Sequence, residues 1–280
     1  MNFVNIGFLT RANINNMNSG EGFGNITVLK KVESQDGKKY VYVSGQAIRR
    51  YLKETMNELG FSITPSDETG EPILNKSITS KDPKAKLKEI IKLHPDLDLF
   101  GFMEAKGVRR WSAFKTTPLV SLSPYIENED LLLRNKGFKT EQGKESEKQA
   151  NLVKIELNVF SLMRGSFMID YDRIGRFEDE LTWETNEVIN SAQKKERYKS
   201  LIKGIRYLNG GAKSARLLDD LTPVFVIAGV LKAGTPIFLN AIELKDGRID
   251  SKKIEGVTVL KIGEVFNKLE NHEFDEPISK

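Results

Sequence analysis

The stretch from Ser44 to Gly60 constrains the fold most, because its residue spacing fits a helix and little else. Ile48, Tyr51, Leu52, Thr55 and Leu59 recur three and four residues apart, which sets them on one helical face. Ser44 is a good N-cap and Gly60 a natural stop. Strand-forming stretches frame this helix. Phe3 to Ile14 reads as a first strand with Val4, Ile6 and Phe8 on one face, followed by a loop rich in Gly and Asn from Asn15 to Asn25. A hairpin through Asp36-Gly37 leads into strand residues Tyr40 to Val43, just before the helix. Downstream, β-branched and apolar content returns from Trp111 to Leu122. The alternation Lys154 to Val159 then predicts a second long strand running to Tyr171. A second helix is expected from about Asn186 to Asn209, with Val188, Ala192, Leu201, Ile205 and Leu208 on its apolar face and Gly210-Gly211 as its stop. A strand from Pro223 to Leu231 and a hairpin or strand near Pro236 to Leu244 follow.

The main elements therefore run strand, helix, strand, strand, helix, strand, which predicts an α+β fold of the ferredoxin-like or RRM-like order. Residues 61–108 do not fit this pattern. They mix turn signals, a Lys-rich helical piece from Pro83 to Leu93 and an apolar patch from Leu97 to Met103, and read as an insertion. The expected organisation is a main domain made of 1–60 and 109–280, with an inserted subdomain at 61–108. Within about 124–153 two strands flank a charged tip, Asn135 to Gln149, which should be solvated. With 280 residues, 39% of them hydrophobic, the chain is long enough to bury a sizeable core.

Several chemistries are excluded early. There are no cysteines, and the only histidines are His94 and His272, so disulfides, thiolate nucleophiles and zinc or histidine-rich metal centres are not expected. Carboxylate neighbours such as Asp219-Asp220, or Asp170 with Asp172, have no histidine or cysteine beside them to form a catalytic constellation. Asp219-Asp220 reads as a turn cap and His94 as a loop residue, so no catalytic residue and no cofactor are expected. The first residues lack a charged n-region, and no apolar run approaches the roughly 18 residues that span a bilayer, so a cytoplasmic protein without membrane contact is expected.

A net charge of +4 is too small to identify a polyanion partner by itself, so the placement of the charges matters. Gln46, Arg49, Arg50 and Lys53 share one face of the first helix. Ser44, Gly45 and Gln46 lie where free N–H groups and the helix dipole attract anions. A capped surface helix with ordinary solvated arginines fits the same spacing. The second cluster is denser. Between Glu187 and Arg216, Lys194, Lys195, Arg197, Lys199, Lys203, Arg206, Lys213 and Arg216 face only Glu187 and Glu196. It ends in Gly210-Gly211-Ala212-Lys213-Ser214-Ala215-Arg216, a composition that suits a phosphate or sugar. A helix C-terminus with dipole-complementing lysines and a glycine stop accounts for the glycines and part of the charge. The loop is not a Walker motif, because Ala212 separates glycine from lysine and a helix precedes it. Gly20-Glu21-Gly22-Phe23-Gly24 is likewise not a dinucleotide fingerprint.

Taken together, Thr10 to Asn15, Ser44 to Lys53, and Gly210 to Arg216 before Leu221-Thr222-Pro223 resemble, in order and spacing, the backbone subunits of CRISPR-associated Cascade-like complexes, in particular the DevR-type members of subtype I-B. The resemblance spans most of the chain. It implies an RRM-like palm with inserted subdomain, a β-hairpin thumb, and head-to-tail copies assembled along a guide RNA (crRNA) beside other Cascade subunits, presenting the guide to target DNA. Carried over residue by residue, it places Gln46, Arg49 and Lys53 on guide phosphates with Ser44 at the helix start. Arg11, Asn13, Arg50 and the loop residues Gly210, Gly211, Lys213, Ser214 and Arg216 then flank the same RNA path. Related type III subunits cut target RNA with an acidic residue between first strand and first helix. Here Glu21, Glu33 and Asp36 sit in no such motif, so no cleavage is expected. A monomeric single-stranded RNA-binding module and a small-molecule enzyme on the same fold stand as rivals.

Overall fold

The computed structural model describes residues 2–20, 22, 26–104, 107–134, 151–179, 182–211, 214–245, 248–250 and 261–272. Its main sheet has seven strands: β1 (Phe3–Asn15), β2 (Lys31–Glu33), β3 (Lys39–Val43), β4 (Phe114–Thr116), β5 (Leu119–Ser121), β6 (Asn158–Asp170) and β7 (Pro223–Leu231). Their order is β7-β1-β6-β5-β3-β2, with β4 also paired to β6, and every pairing is antiparallel. The two long strands run side by side at the centre, from Phe3↔Asp170 to Asn15↔Asn158.

One face of this sheet carries the core. Val4, Ile6 and Phe8 of β1 and Met163, Phe167 and Ile169 of β6 are fully buried, and the Phe8 and Phe167 rings stack with centroids 4.4 Å apart. They pack in one cluster with Ile48, Leu52 and Met56 of α1 (Gly45–Glu58) and with Tyr198, Leu201, Ile202 and Ile205 of α4 (Ser191–Arg206). A terminal helix, α5 (Ile262–Asn271), adds Phe266 and Leu269 to the same cluster. This helix is absent from the sequence expectations above, although Ile262, Val265, Phe266 and Leu269, at offsets 0, 3, 4 and 7, give it a helical apolar face.

Residues 61–108 are joined to the rest through burial and charge. They hold α2 (Pro83–Leu93) and α3 (Pro95–Phe100), and Leu99 and Phe100 enter the main core. Leu87, Ile91 and Val108 pack with Phe177. Asp98, fully buried, accepts from Arg110 Nη2 at 2.7 Å, Arg197 Nη1 at 2.8 Å and the Gly175 N–H at 2.8 Å. The guanidinium groups also donate to main-chain carbonyls, Arg110 to Arg173 and Arg176, and Arg197 to Ile91 and Lys92. Three buried charges are thus paired together, as burial of charge demands, with Arg110 Nε left without a hydrogen-bond partner.

His94 closes α2 as a neutral group. Its Nε2 accepts the Asn75 N–H at 3.1 Å, and its Nδ1 lies 2.8 Å from the Thr64 hydroxyl, which itself donates to Asp96 Oδ1. Burial pushes its pKa below the ordinary 6.5, against the opposing pull of Asp96. A depressed histidine pKa means that the unfolded chain takes up the proton first. Its contribution to stability is therefore complete above pH 6.5 and is lost as pH falls through the lower folded value. Urea denaturation at falling pH should show this loss in wild type and a flatter profile in His94→Ala. Parallel profiles for the two proteins would remove His94 as its source.

Several sequence expectations change in detail. The long strand expected from Lys154 to Tyr171 breaks at Leu157, whose N–H turns to the Asn128 carbonyl. This separates β6 from a hairpin arm, Asn151–Glu156, paired with Glu129–Arg134. The expected tip of that hairpin, Asn135 to Gln149, lies outside the described residues. The second helix starts at Ser191 under an Asn190 capping box, not at Asn186, because Thr185–Glu187 pairs as a strand with Arg176–Glu178. Leu59, counted on the apolar face of α1, is 49% exposed past the end of the helix. The segment after Pro236 turns, and only Glu243–Lys245 forms a strand, pairing with Arg248–Asp250. Among the described residues, no helix is long and apolar enough to cross a membrane.

Candidate nucleic-acid interface

α1 shows four different stripes, each fixed by the helical period. Ile48, Leu52 and Met56 enter the core. Tyr51 and Thr55 face the glycine loop: the Tyr51 hydroxyl donates to the Met17 carbonyl at 2.6 Å, and Thr55 Oγ1 accepts the Asn209 N–H at 3.1 Å. Gln46 and Arg50 point to solvent, with Arg50 Nε 2.8 Å from Glu54 in an exposed i,i+4 pair of little energetic weight. Arg49 and Lys53 form the fourth stripe.

That fourth stripe departs from the expected phosphate-facing set. Arg49 turns inward, its Nη1 donating to Ser112 Oγ at 3.1 Å and the Phe114 carbonyl at 3.0 Å, and its Nη2 to the Phe100 carbonyl. Burial lowers its pKa. Here Arg49 ties α1 to α3 and β4, a role that helical spacing does not reveal. Lys53 is half-buried, with Nζ 3.7 Å from Asp96 and 5.2 Å from the Phe100 ring centre. Burial lowers its pKa more than Asp96 raises it.

The start of α1 is built as expected. Ser44 is extended, its Oγ accepts the Ala47 N–H at 3.3 Å, and its own N–H donates to Asn18 Oδ1 at 3.0 Å. The Gly45 and Gln46 N–H groups, in the first turn, have no intrahelical acceptor. Ser44→Ala should cost about 1 kcal/mol. Thermal melting checks this, and an unchanged midpoint would count against the cap.

The glycine loop is folded against this helix. Gly210 has φ +156 and Gly211 φ +133. A Cβ at Gly210 would fall 2.2 Å from Tyr51 Cγ, whereas one at Gly211 would meet only the Asn16 carbonyl, at 3.9 Å. Ser214 and Arg216 are exposed beyond it, and Lys213 lies outside the described residues. The basic run leading into the loop is less available than its composition implies. Arg197 is buried at Asp98, Arg206 pairs with Glu270 at 3.0 Å, and Lys194 lies over the Tyr171 ring.

Arg11 and Asn13 are exposed on one side of β1. The Asn13 amide is engaged: its Nδ2 and N–H donate to Asp219 at 2.7 and 2.9 Å, and Asn15 Nδ2 donates to the same carboxylate. Asp219, read from sequence as a turn cap, thus fastens the 218–222 segment to the end of β1. With the bonds of Ser44 to Asn18 and Tyr51 to Met17, these draw the end of β1, α1 and the glycine loop together. A cavity of about 530 Å³ opens there between Asn13, Tyr207, Asn209, Leu218 and Asp220.

Comparison with known proteins gives three findings. A family profile described as "CRISPR-associated negative auto-regulator DevR/Csa2" matches residues 6–253. No curated protein matches in sequence. The fold resembles a chain of a "CRISPR RNA-guided surveillance complex, pre-nicking", with TM-score 0.54 and 12% identity over 95% of this chain and 87% of that one. It also resembles a chain of a "CRISPR RNA-guided surveillance complex", with TM-score 0.51 and 14% identity over 96% and 82%.

Proposed function

The chain belongs to the DevR/Csa2 family of CRISPR-associated proteins, and on that premise we propose that it is a guide-RNA-binding backbone subunit of a Cascade-type surveillance complex. The observation that carries the reading is the meeting of the end of β1, α1 and the Gly210-Gly211 loop around Met17, Asn18 and Tyr51, with Arg11, Gln46, Arg50, Ser214 and Arg216 exposed on or beside these elements. The likeness in fold to chains of two RNA-guided complexes supports it. The β7-β1-β6-β5 order, with α1 and α4 over one face, supports an RRM-like palm, and the hairpin Glu129–Arg134/Asn151–Glu156 is our candidate thumb.

In this reading the exposed cations and the first N–H groups of α1 hold phosphates. Arg49 and Lys53 brace the helix that presents them. Phosphate contacts position a strand without reading its sequence, which suits a subunit that must accept any guide. The bases then stay available to pair with target DNA, and the protein acts by holding RNA, not by cutting it. Copies join head to tail through an interface that does not close on itself, and other subunits end the filament.

RNA extracted from the purified protein and sequenced should contain guide sequences, and size-exclusion chromatography should show larger assemblies only when a CRISPR array is co-expressed. An RNA-free monomer under both conditions overturns the proposal. Replacing both Arg11 and Arg50 with alanine should weaken binding equally for unrelated RNA sequences. The slope of log affinity against log salt should flatten by roughly 0.7 for each phosphate that is no longer neutralised. An unchanged slope removes these residues from the phosphate path.

A further inference from the structure

Among the described residues of the main sheet, Phe160 is the one non-glycine residue with a positive φ. It lies within β6 yet has φ +46, in the left-handed region that an aromatic residue rarely adopts, and the residue is 71% exposed. The strand register does not require the kink. Ser161 pairs with Ala12 and Val159 with Ile14 without an inserted residue, and only the Asn13–Phe160 pair between them is missing, where the Asn13 N–H goes to Asp219. One hydrogen bond spans the kink. The Ser161 hydroxyl donates to Asn158 Oδ1 at 2.8 Å across it, and both residues are buried. A buried brace thus holds a large apolar ring in water on a strained backbone. Strain maintained by its surroundings is a feature of ligand sites.

The position of the ring suggests its ligand. Arg11 and Asn13 lie on the neighbouring strand, with Arg11 paired to Leu162 two residues from Phe160, and Gly211 of the glycine loop lies by the Asn16 carbonyl just past the same end of β1. We propose that Phe160 stacks on one base of the bound single-stranded RNA, so that the strand is held by a base face as well as by its phosphates. The inference rests on the guide-binding reading above. Every base has a π-face, so one aromatic platform stays as sequence-blind as the phosphate contacts.

The test uses the full chain, a base-bearing RNA oligonucleotide and an abasic ribose-phosphate oligomer of the same length, with affinities measured by fluorescence anisotropy. Wild type should bind the base-bearing strand more tightly. Phe160→Ala should lower that affinity by about 5- to 150-fold and leave abasic binding unchanged, and Phe160→Trp should restore it. Phe160→Gly, which accepts the positive φ, should melt no lower than wild type, which separates a defect in stacking from a defect in folding. Equal losses on both strands, or no loss on either, overturn the stacking and leave phosphate holding intact. Failure of wild type to bind either strand overturns the guide-binding reading itself.

Discussion

Asp98→Ala is expected to cost about 3–5 kcal/mol of folding stability, since it leaves the Arg110 and Arg197 guanidinium groups buried without a counter-charge. That is a large share of the roughly 5–15 kcal/mol that keeps a typical domain folded. Asp98 joins α3 to α4 and to the turn at Gly175, so the effect should appear as cooperative loss of the whole fold in urea, with the midpoint shifted and the slope kept. Asp98→Asn should fall between, because an amide still accepts hydrogen bonds but carries no charge. A loss below about 1 kcal/mol for the alanine variant would show that water or neighbouring groups replace the carboxylate, and that the three-way contact is not what joins 61–108 to the sheet.

The second large effect is expected at Gly210. An alanine there places its Cβ inside the Tyr51 ring, so either the ring or the loop must move, at a cost of roughly 1–3 kcal/mol from overpacking alone. Gly211→Ala meets no such obstacle and carries only the cost of its φ of +133, so Gly210→Ala should be the worse of the two. Truncating the ring should relieve the clash, so Gly210→Ala combined with Tyr51→Ala should be less damaging than the sum of the single changes. Denaturation of wild type, the two single variants and the double variant, together with RNA affinity for each, decides this. Strict additivity would mean that the loop does not rest on Tyr51. If the loop shapes the RNA path, the Gly210 variant should also lose affinity beyond what its stability loss explains.

Local patterns were legible and distant partners were not. The spacing of Ile48 and Leu52, the Ser44 cap and the Pro83–Leu93 helix are short-range matters, and each stands where its sequence signal put it. The Arg49 side chain was misplaced, because a 3.6-residue period says which way a side chain starts, not which carbonyls wait for it. Its acceptors come from Phe100 and Phe114, more than 50 residues on. Arg197 looked like one more cation in a basic run, and only Asp98, 99 positions earlier, makes it structural. Asp219 and Asp220 do cap their turn, but the further role of Asp219 is hidden in sequence because its partners Asn13 and Asn15 lie more than 200 residues away. The break at Leu157 depends on a carbonyl at Asn128, which no period records.

The bond from Asp219 to Asn13 spans 206 residues and also sets an order of events. Contacts this far apart close late, because the chain entropy of a long loop must be overcome before they contribute. A nascent chain that has made β1 and α1 still lacks the glycine loop and Asp219, and with them one wall of the proposed RNA path. On the guide-binding proposal, RNA capture is then confined to finished chains, and a stalled or truncated product would not occupy a guide that intact copies need.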